Sequence, residues 1–138
     1  MTPDAVAALI PDLFAPWVQE LGVAVLETGE TCRFTFEGGA RMVRGGGEGG
    51  GVVCGQALSS AADTCSVLAL SAMNGAFRPC TTVDMTSHFL RPVPEGTVEL
   101  RITAASNGRR MAVTRVEVFG SNGKLGAVVT CSFAYLDG

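Results

Sequence analysis

One segment of the chain limits its fold more than any other. Residues 55–73 contain no proline and no glycine after Gly55, and Asp63 is their only charged side chain. Small and apolar residues fill most other positions, so the segment has no charged face to turn towards solvent. The pattern predicts a helix that begins at Gly55, ends before Asn74-Gly75 and is buried on nearly all sides.

The segments on both sides of this helix alternate apolar and polar residues, as β-strands do. Residues 23–38 predict a hairpin with its turn at 28–30. After the helix, turn signals at 92–96, 107–108 and 121–123 separate four further strands. Two strands, a buried helix and an antiparallel run of four strands predict an α+β fold.

The N-terminal residues 3–21 predict a helical segment, because apolar residues recur at spacings of three and four. Thr2 and Pro3 suit the N-cap and the first helical position. Pro11 is expected to split the segment into a short first helix and a longer second one, and Gly22 is expected to end it.

Length and composition narrow the class of protein. With 138 residues the chain is expected to form one domain, 1–138, made of an N-terminal helical segment 1–21 and a core 22–138. A net charge of -3 does not suit a nucleic-acid partner, and no apolar run approaches the length of a membrane span. The first residues lack the basic region of a secretory signal.

The cysteines and the single histidine point to a reducing compartment without a metal site. Five cysteines form no C-x-x-C pair, and an odd number predicts free thiols in the cytoplasm. His88 is the only histidine, so neither a zinc site nor a hydratase that pairs Asp with His is expected.

Asp63 is the first candidate for chemistry, because a carboxylate in an apolar helix is costly to bury without a function or a partner. It is predicted to be a nucleophile or general base, the alternative being a buried structural aspartate hydrogen-bonded to a neighbouring strand or loop. The free N–H groups at Gly55 form an oxyanion site. Eight residues of helix separate the two by about 12 Å, so one helix cannot bring both to one carbonyl. Two antiparallel helices across a dimer axis can, which predicts an obligate homodimer with shared sites.

The order Gly55-Gln56, Asp63-Thr64, Thr82–Met85, Phe89–Pro92 and Asn107–Arg110 resembles the hotdog-fold thioesterases of the phenylacetic-acid-degradation type. The resemblance covers residues 30–136. It implies a long helix wrapped by an antiparallel sheet and a homodimer, with a homotetramer left open. It also implies an acyl-CoA substrate and no separate cofactor.

The resemblance also implies roles for individual residues. Gly55 falls on the oxyanion glycine, Asp63 on the catalytic acid and Thr82 on a Ser or Thr that helps to orient water. The turn that contacts coenzyme A comprises Ser106, Asn107, Gly108, Arg109, Arg110 and Met111. Arg91, Arg109 and Arg110 are candidates to meet the phosphates, and the alternative is that the paired arginines are solvated surface charges.

Three positions depart from the family pattern. Cys54 replaces the motif histidine, Gln56 replaces its second glycine, and Glu48 replaces an Asn or Gln. Gln56 is a candidate to supply one missing polar role. Cys54 at a helix start is either a nucleophile or a small apolar filler, and the second is favoured.

These observations predict an acyl-CoA thioesterase for a medium-chain or aromatic acyl group. Phe14 and Trp17 are candidates to cap the acyl pocket, although packing alone explains them equally well. The alternative function is a non-catalytic hotdog protein that binds acyl-CoA or another small ligand, which the loss of the histidine favours.

Overall fold

The computed structural model of the protein describes residues 1–45 and 51–137, so Glu48 and its neighbours 46–50 lie outside the described residues. The helices are α1 (Pro3–Ala7), α2 (Ile10–Leu13), α3 (Pro16–Gln19) and α4 (Gly55–Asn74), with a 3₁₀ helix at Ala40–Met42. The strands are β1 (Ala24–Glu27), β2 (Cys32–Gly38), β3 (Cys80–Phe89), β4 (Gly96–Asn107), β5 (Met111–Phe119) and β6 (Leu125–Tyr135).

The strands form one six-stranded antiparallel sheet in the order β1-β2-β4-β5-β6-β3. Strands β2 and β3 flank α4 in sequence but are separated by three strands in the sheet. The helix therefore crosses the sheet from one side to the other. Strand β3 lies at an edge, where β6 is its only strand partner among the described residues.

Helix α4 packs against the sheet through small side chains that let its backbone come close. Ala61, Ala62 and Cys65 are fully buried, and so is Leu68 one turn further on. Their neighbours in the core are large side chains from the sheet, among them Phe34, Phe36, Leu100 and Phe133. Gly75 ends the helix with φ 78°, a conformation that glycine adopts without strain. The predicted buried helix and α+β architecture are confirmed.

The N-terminal segment is helical as predicted, but it forms three short helices instead of two. Ala15 has an extended backbone with ψ 150° because it precedes Pro16, and this breaks the expected longer second helix. The predicted N-cap is confirmed, since the Ala5 N–H donates to Thr2 Oγ1 at 3.1 Å. Val6 is fully buried, so α1 contributes to the same hydrophobic core as α4.

Candidate active site

Gly55 opens helix α4 beneath an aromatic ring. A Cβ atom at this position would lie 3.0 Å from Cζ of Phe89, closer than ordinary van der Waals contact. The N-cap residue Cys54 makes no side-chain hydrogen bond to the helix. Among the described residues, the N–H groups of Gly55 and Gln56 therefore have no protein acceptor, and with the positive end of the macrodipole they suit an anion.

Asp63 lies at the margin of the core and not inside it. The residue is half-buried, and its Oδ1 accepts a 2.7 Å hydrogen bond from Oγ1 of Thr82, which is exposed. The structure thus brings together two of the predicted site residues from different elements. The contact holds one carboxylate oxygen and leaves the other without a protein donor among the residues described.

A β-bulge is the reason that Thr82 reaches Asp63. Val83 has no partner in the pairing of β3 with β6, where the register shifts between Thr82 and Asp84. Alternation back from Ser87, which faces α4, would place Val83 and not Thr82 towards the helix. The extra residue reverses that parity, so Thr82 faces the helix and Val83 is 52% exposed.

Three contacts join α4 to β3 at successive turns of the helix. Gly55 lies under Phe89, Ser59 Oγ is 3.1 Å from Ser87 Oγ, and Asp63 binds Thr82. Strand β3 thus runs antiparallel to α4 along the exposed edge of the molecule. These contacts also hold Gly55 and Asp63 two helical turns apart, about 12 Å along the axis.

Two cavities meet at the start of α4. The N-terminal cavity, of about 640 Å³, lies between α3 and α4 and has Trp17, Leu21 and Ala57 in its walls. The β3 cavity, of about 620 Å³, lies between α4 and the end of β3 and includes Gly55 and Arg91. Cys54 and Gln56 line both cavities, whereas Asp63 lines neither.

The predicted substrate-binding residues fall at opposite ends of α4. Arg91 lies beside Gly55 and donates a 2.9 Å hydrogen bond to the carbonyl of Leu125. Ser106, Arg109, Arg110 and Met111 are exposed at the β4–β5 turn, with Asn107 and Gly108. Asn107 Nδ2 donates to Asn74 Oδ1 at 2.9 Å, which places this turn at the carboxyl end of the helix. A single copy of the chain therefore does not gather Gly55, Asp63 and the turn at one point.

Cysteine chemistry is disfavoured at most of the thiols near the site. Burial, and then the negative charge of Asp63, raises the pKa of the Cys80 thiol. Burial raises the pKa of Cys65 and Cys131 as well. A thiol is nucleophilic as the thiolate, so these three cysteines are poor nucleophiles at neutral pH.

Of the partners that β3 supplies, the sequence predicts only Thr82, through the family resemblance. It does not predict that Phe89 lies over Gly55 or that Ser59 pairs with Ser87. The spacing of Gly55, Ser59 and Asp63 at i, i+4 and i+8 puts them on one helix face. Apart from the resemblance at Thr82, no sequence signal identifies the strand opposite that face.

Neither a metal-binding cluster nor a membrane-spanning helix is found among the described residues. No three His, Cys, Asp or Glu side chains group closely enough to hold a metal ion in the ranges 1–45 and 51–137. Within the same ranges, every helix is too short or too polar to cross a membrane.

Comparison with known proteins identifies the architecture. A thioesterase from Haemophilus influenzae has a TM-score of 0.80 and 23% identity, over 94% of this chain and 88% of that chain. The PaaI protein from the E. coli phenylacetic acid degradation operon has a TM-score of 0.79 and 21% identity, over 97% and 93%. A mutant of the phenylacetic acid degradation protein PaaI from Thermus thermophilus has a TM-score of 0.74 and 27% identity, over 88% and 100%.

The wrapped helix and the antiparallel sheet are those of the hotdog fold, as predicted. The sequence profile of the thioesterase superfamily matches residues 50–127, more than half of the chain. The search of curated protein sequences found no match to this chain. The chain belongs to the thioesterase superfamily.

Proposed function

We propose that the protein is an acyl-CoA thioesterase of the phenylacetic-acid-degradation type, with Asp63 as general base or nucleophile. The proposal rests on the 2.7 Å hydrogen bond from Thr82 to Asp63 at the exposed edge of the sheet. A carboxylate held in one direction beside solvent is suited to take a proton from water or to attack a carbonyl. Membership of the thioesterase superfamily makes a thioester the substrate class.

Both routes end in the free acid and coenzyme A. In the first, Asp63 takes a proton from water, the water oxygen bonds to the carbonyl carbon, and the C–S bond breaks as the thiolate leaves and regains a proton. In the second, a carboxylate oxygen of Asp63 displaces the thiolate, and water then opens the mixed anhydride. Each route develops negative charge on the carbonyl oxygen, which the Gly55 N–H stabilises.

The active site is shared between two subunits of a homodimer, and a homotetramer is the alternative assembly. Gly55 and Asp63 lie too far apart on one helix to meet at one carbonyl. An antiparallel second copy of α4 brings Gly55 of each subunit to Asp63 of the other, with the twofold axis beside Ser59, midway between them. The exposed edge strand β3, with Val83 52% and Phe89 55% exposed, supports an interface along this side.

The acyl group is a medium chain or an aromatic ring bound in the N-terminal cavity. Its volume of about 640 Å³ falls in the ordinary range for small-molecule sites. Trp17, Leu21, Met42 and Ala57 supply apolar wall. Gln56 lines this cavity as well as the β3 cavity that includes Gly55, and it supplies a polar group where the thioester carbonyl would lie.

The coenzyme A portion extends towards the arginines. In the antiparallel dimer the amino end of one α4 lies opposite Asp63 of the other, and the carboxyl end of that second helix lies eleven residues, about 16 Å, further in the same direction. Arg91 of one subunit and the exposed turn 106–111 of the other thus lie on the same side of the twofold axis, at two points along the coenzyme A portion. Guanidinium groups there meet phosphates through charge-assisted hydrogen bonds.

Replacing Asp63 with Asn tests the catalytic role. The two side chains are nearly isosteric, so the fold should survive while hydrolysis falls about 10²–10⁴-fold, as expected for a lost general base. Release of free coenzyme A from a panel of acyl-CoAs, followed with a thiol reagent, measures the loss. Asp12→Asn, an exposed aspartate of α2, is the matched control. Full activity in Asp63→Asn would refute the assignment.

The second candidate is a protein that binds acyl-CoA without hydrolysing it. The observation in its favour is Cys54 at the position of the motif histidine, in the wall of both cavities. Saturable binding of acyl-CoA with no thiol release by the wild-type protein would establish this candidate instead.

In either case we propose a cytoplasmic protein, since the buried thiols Cys32, Cys65 and Cys131 suit a reducing compartment. Neither candidate involves a metal, a separate cofactor, nucleic acid or a membrane.

A further inference from the structure

Arg78, in the connection between α4 and β3, is tied by all three of its nitrogen groups. Its Nε and Nη2 donate to the two carboxylate oxygens of Asp137 at 3.0 and 2.9 Å. Nη2 also donates to the carbonyl of Arg109 at 2.8 Å, and Nη1 donates to that of Gly108 at 3.4 Å. One side chain thus holds two successive carbonyls of the β4–β5 turn.

The same turn is held from a second side by a closed ring of hydrogen bonds. The Tyr135 hydroxyl donates to Asn107 Oδ1 at 2.6 Å, and Asn74 Nδ2 donates to the Tyr135 oxygen at 2.9 Å. Asn107 Nδ2 closes the ring on Asn74 Oδ1 at 2.9 Å. The guanidinium of Arg78 lies over the Tyr135 ring, 3.6 Å from its centre. The turn is therefore attached to the end of α4 and to β6 by connected contacts.

Three arginines lie at or beside this turn, and they differ in whether a carboxylate balances their charge. Arg78 lowers the pKa of the Asp137 carboxyl, so its own charge is balanced by an ionised partner. Arg109 and Arg110 are exposed, and no carboxylate lies within ion-pair distance of either in the described part of the chain. A fixed backbone that presents two unbalanced guanidinium groups suits a phosphorylated ligand.

We propose that Arg78 is a positioning residue that fixes the turn 106–111 to receive the phosphate-bearing end of coenzyme A. The inference rests on the proposed function, which supplies coenzyme A as the ligand of that turn. Arg78 does not contact the thioester, which lies near Asp63. Its loss should weaken recognition of the nucleotide end and leave the chemical step unchanged.

The test compares two thioesters with the same acyl group, one on coenzyme A and one on N-acetylcysteamine, which lacks the nucleotide. In Arg78→Ala, KM for the acyl-CoA should rise about tenfold with kcat unchanged, as for the loss of one good polar contact. KM for the truncated thioester should stay at the wild-type value. Tyr135→Phe keeps the stacked ring but breaks the hydrogen-bond ring, so it should shift KM in the same selective way.

Arg101→Ala is the matched control. Arg101 also forms an ion pair, at 2.6 Å with Glu99, and lies over an aromatic ring, Phe119, at 4.2 Å, but it belongs to the middle of β4. It should leave both KM values unchanged. An equal rise for the two thioesters in Arg78→Ala, or no rise for acyl-CoA, would overturn the positioning role.

Calorimetric binding of coenzyme A itself separates this inference from the proposed function. If the wild-type protein hydrolyses neither thioester but binds coenzyme A, a Kd about tenfold weaker in Arg78→Ala supports the positioning role while hydrolysis is refuted. An unchanged Kd in that case overturns the role of Arg78. If the wild-type protein neither hydrolyses thioesters nor binds coenzyme A, both proposals are wrong.

Discussion

Replacing Gly55 with proline removes one backbone N–H and leaves the start of α4 compatible with its fold. Gly55 is the first residue of the helix, a position where proline is common because its N–H has no acceptor within the helix. Cys54 before it has φ -66° and ψ 148°, a conformation that a following proline favours. We expect kcat to fall about 10²–10³-fold, as when one oxyanion donor is lost.

Gly55→Ala is the control for the steric effect of this substitution. Both variants add a Cβ atom 3.0 Å from Phe89 Cζ, so both require the ring to move by a few tenths of an ångström. This displacement is common to the two variants, so it cancels in their comparison. Only the proline variant loses the N–H, and a much smaller loss of kcat is expected for alanine. Equal losses in the two variants would mean that packing, and not the N–H, determines the rate.

Mixing the Gly55→Pro chain with the Asp63→Asn chain then tests whether the site is shared. After exchange of subunits in equal amounts, about half of the dimers are mixed, and each mixed dimer retains one site with an unaltered Gly55 and an unaltered Asp63. The mixture should regain about a quarter of wild-type activity, whereas each variant alone is inactive. Dimers are first confirmed by sedimentation. No regain of activity in verified mixed dimers would refute the shared site.

Three further predictions follow from individual contacts. Thr82→Val keeps the shape of the side chain but removes the donor to Asp63, and kcat measured by thiol release should fall about tenfold. Ala57→Leu fills the N-terminal cavity, so kcat/KM for long relative to short acyl-CoAs should fall about tenfold across a chain-length series. Because Arg78 lowers the pKa of Asp137 in the folded state, their ion pair stabilises the protein above the unfolded pKa of about 3.9, and this is lost as pH falls through the folded value. Asp137→Asn should therefore lower Tm at neutral pH and leave it unchanged in strong acid.

Much of the fold follows from local sequence. Helix α4 was predicted within one residue at its carboxyl end, because its composition and its glycine cap act over neighbouring residues. The hairpin at Asn107-Gly108 was predicted for the same reason. The break before Pro16 differs from the prediction of a break at Pro11 alone, although its cause is also local.

The candidate site likewise contains residues that the local sequence indicates and residues that it does not. Gly55 and Asp63 stand out in the sequence because a glycine at a helix start and a charge in an apolar helix are unusual among their own neighbours. Phe89 does not stand out, and Thr82 is indicated only by the family resemblance, because both come from a strand that is paired with β6 and reaches α4 only in the folded chain.

Sequence by itself determined most of the secondary structure, the buried helix and the carboxylate on it, since these depend on side chains a few residues apart. Only the tertiary structure decided that a bulge at Val83 directs Thr82 towards Asp63. It also decided that Arg78 reaches the carbonyls of a turn thirty residues away in the chain. Both contacts depend on strand order and register. These are set by packing across the whole core, so the residues next to each contact in the sequence do not indicate it.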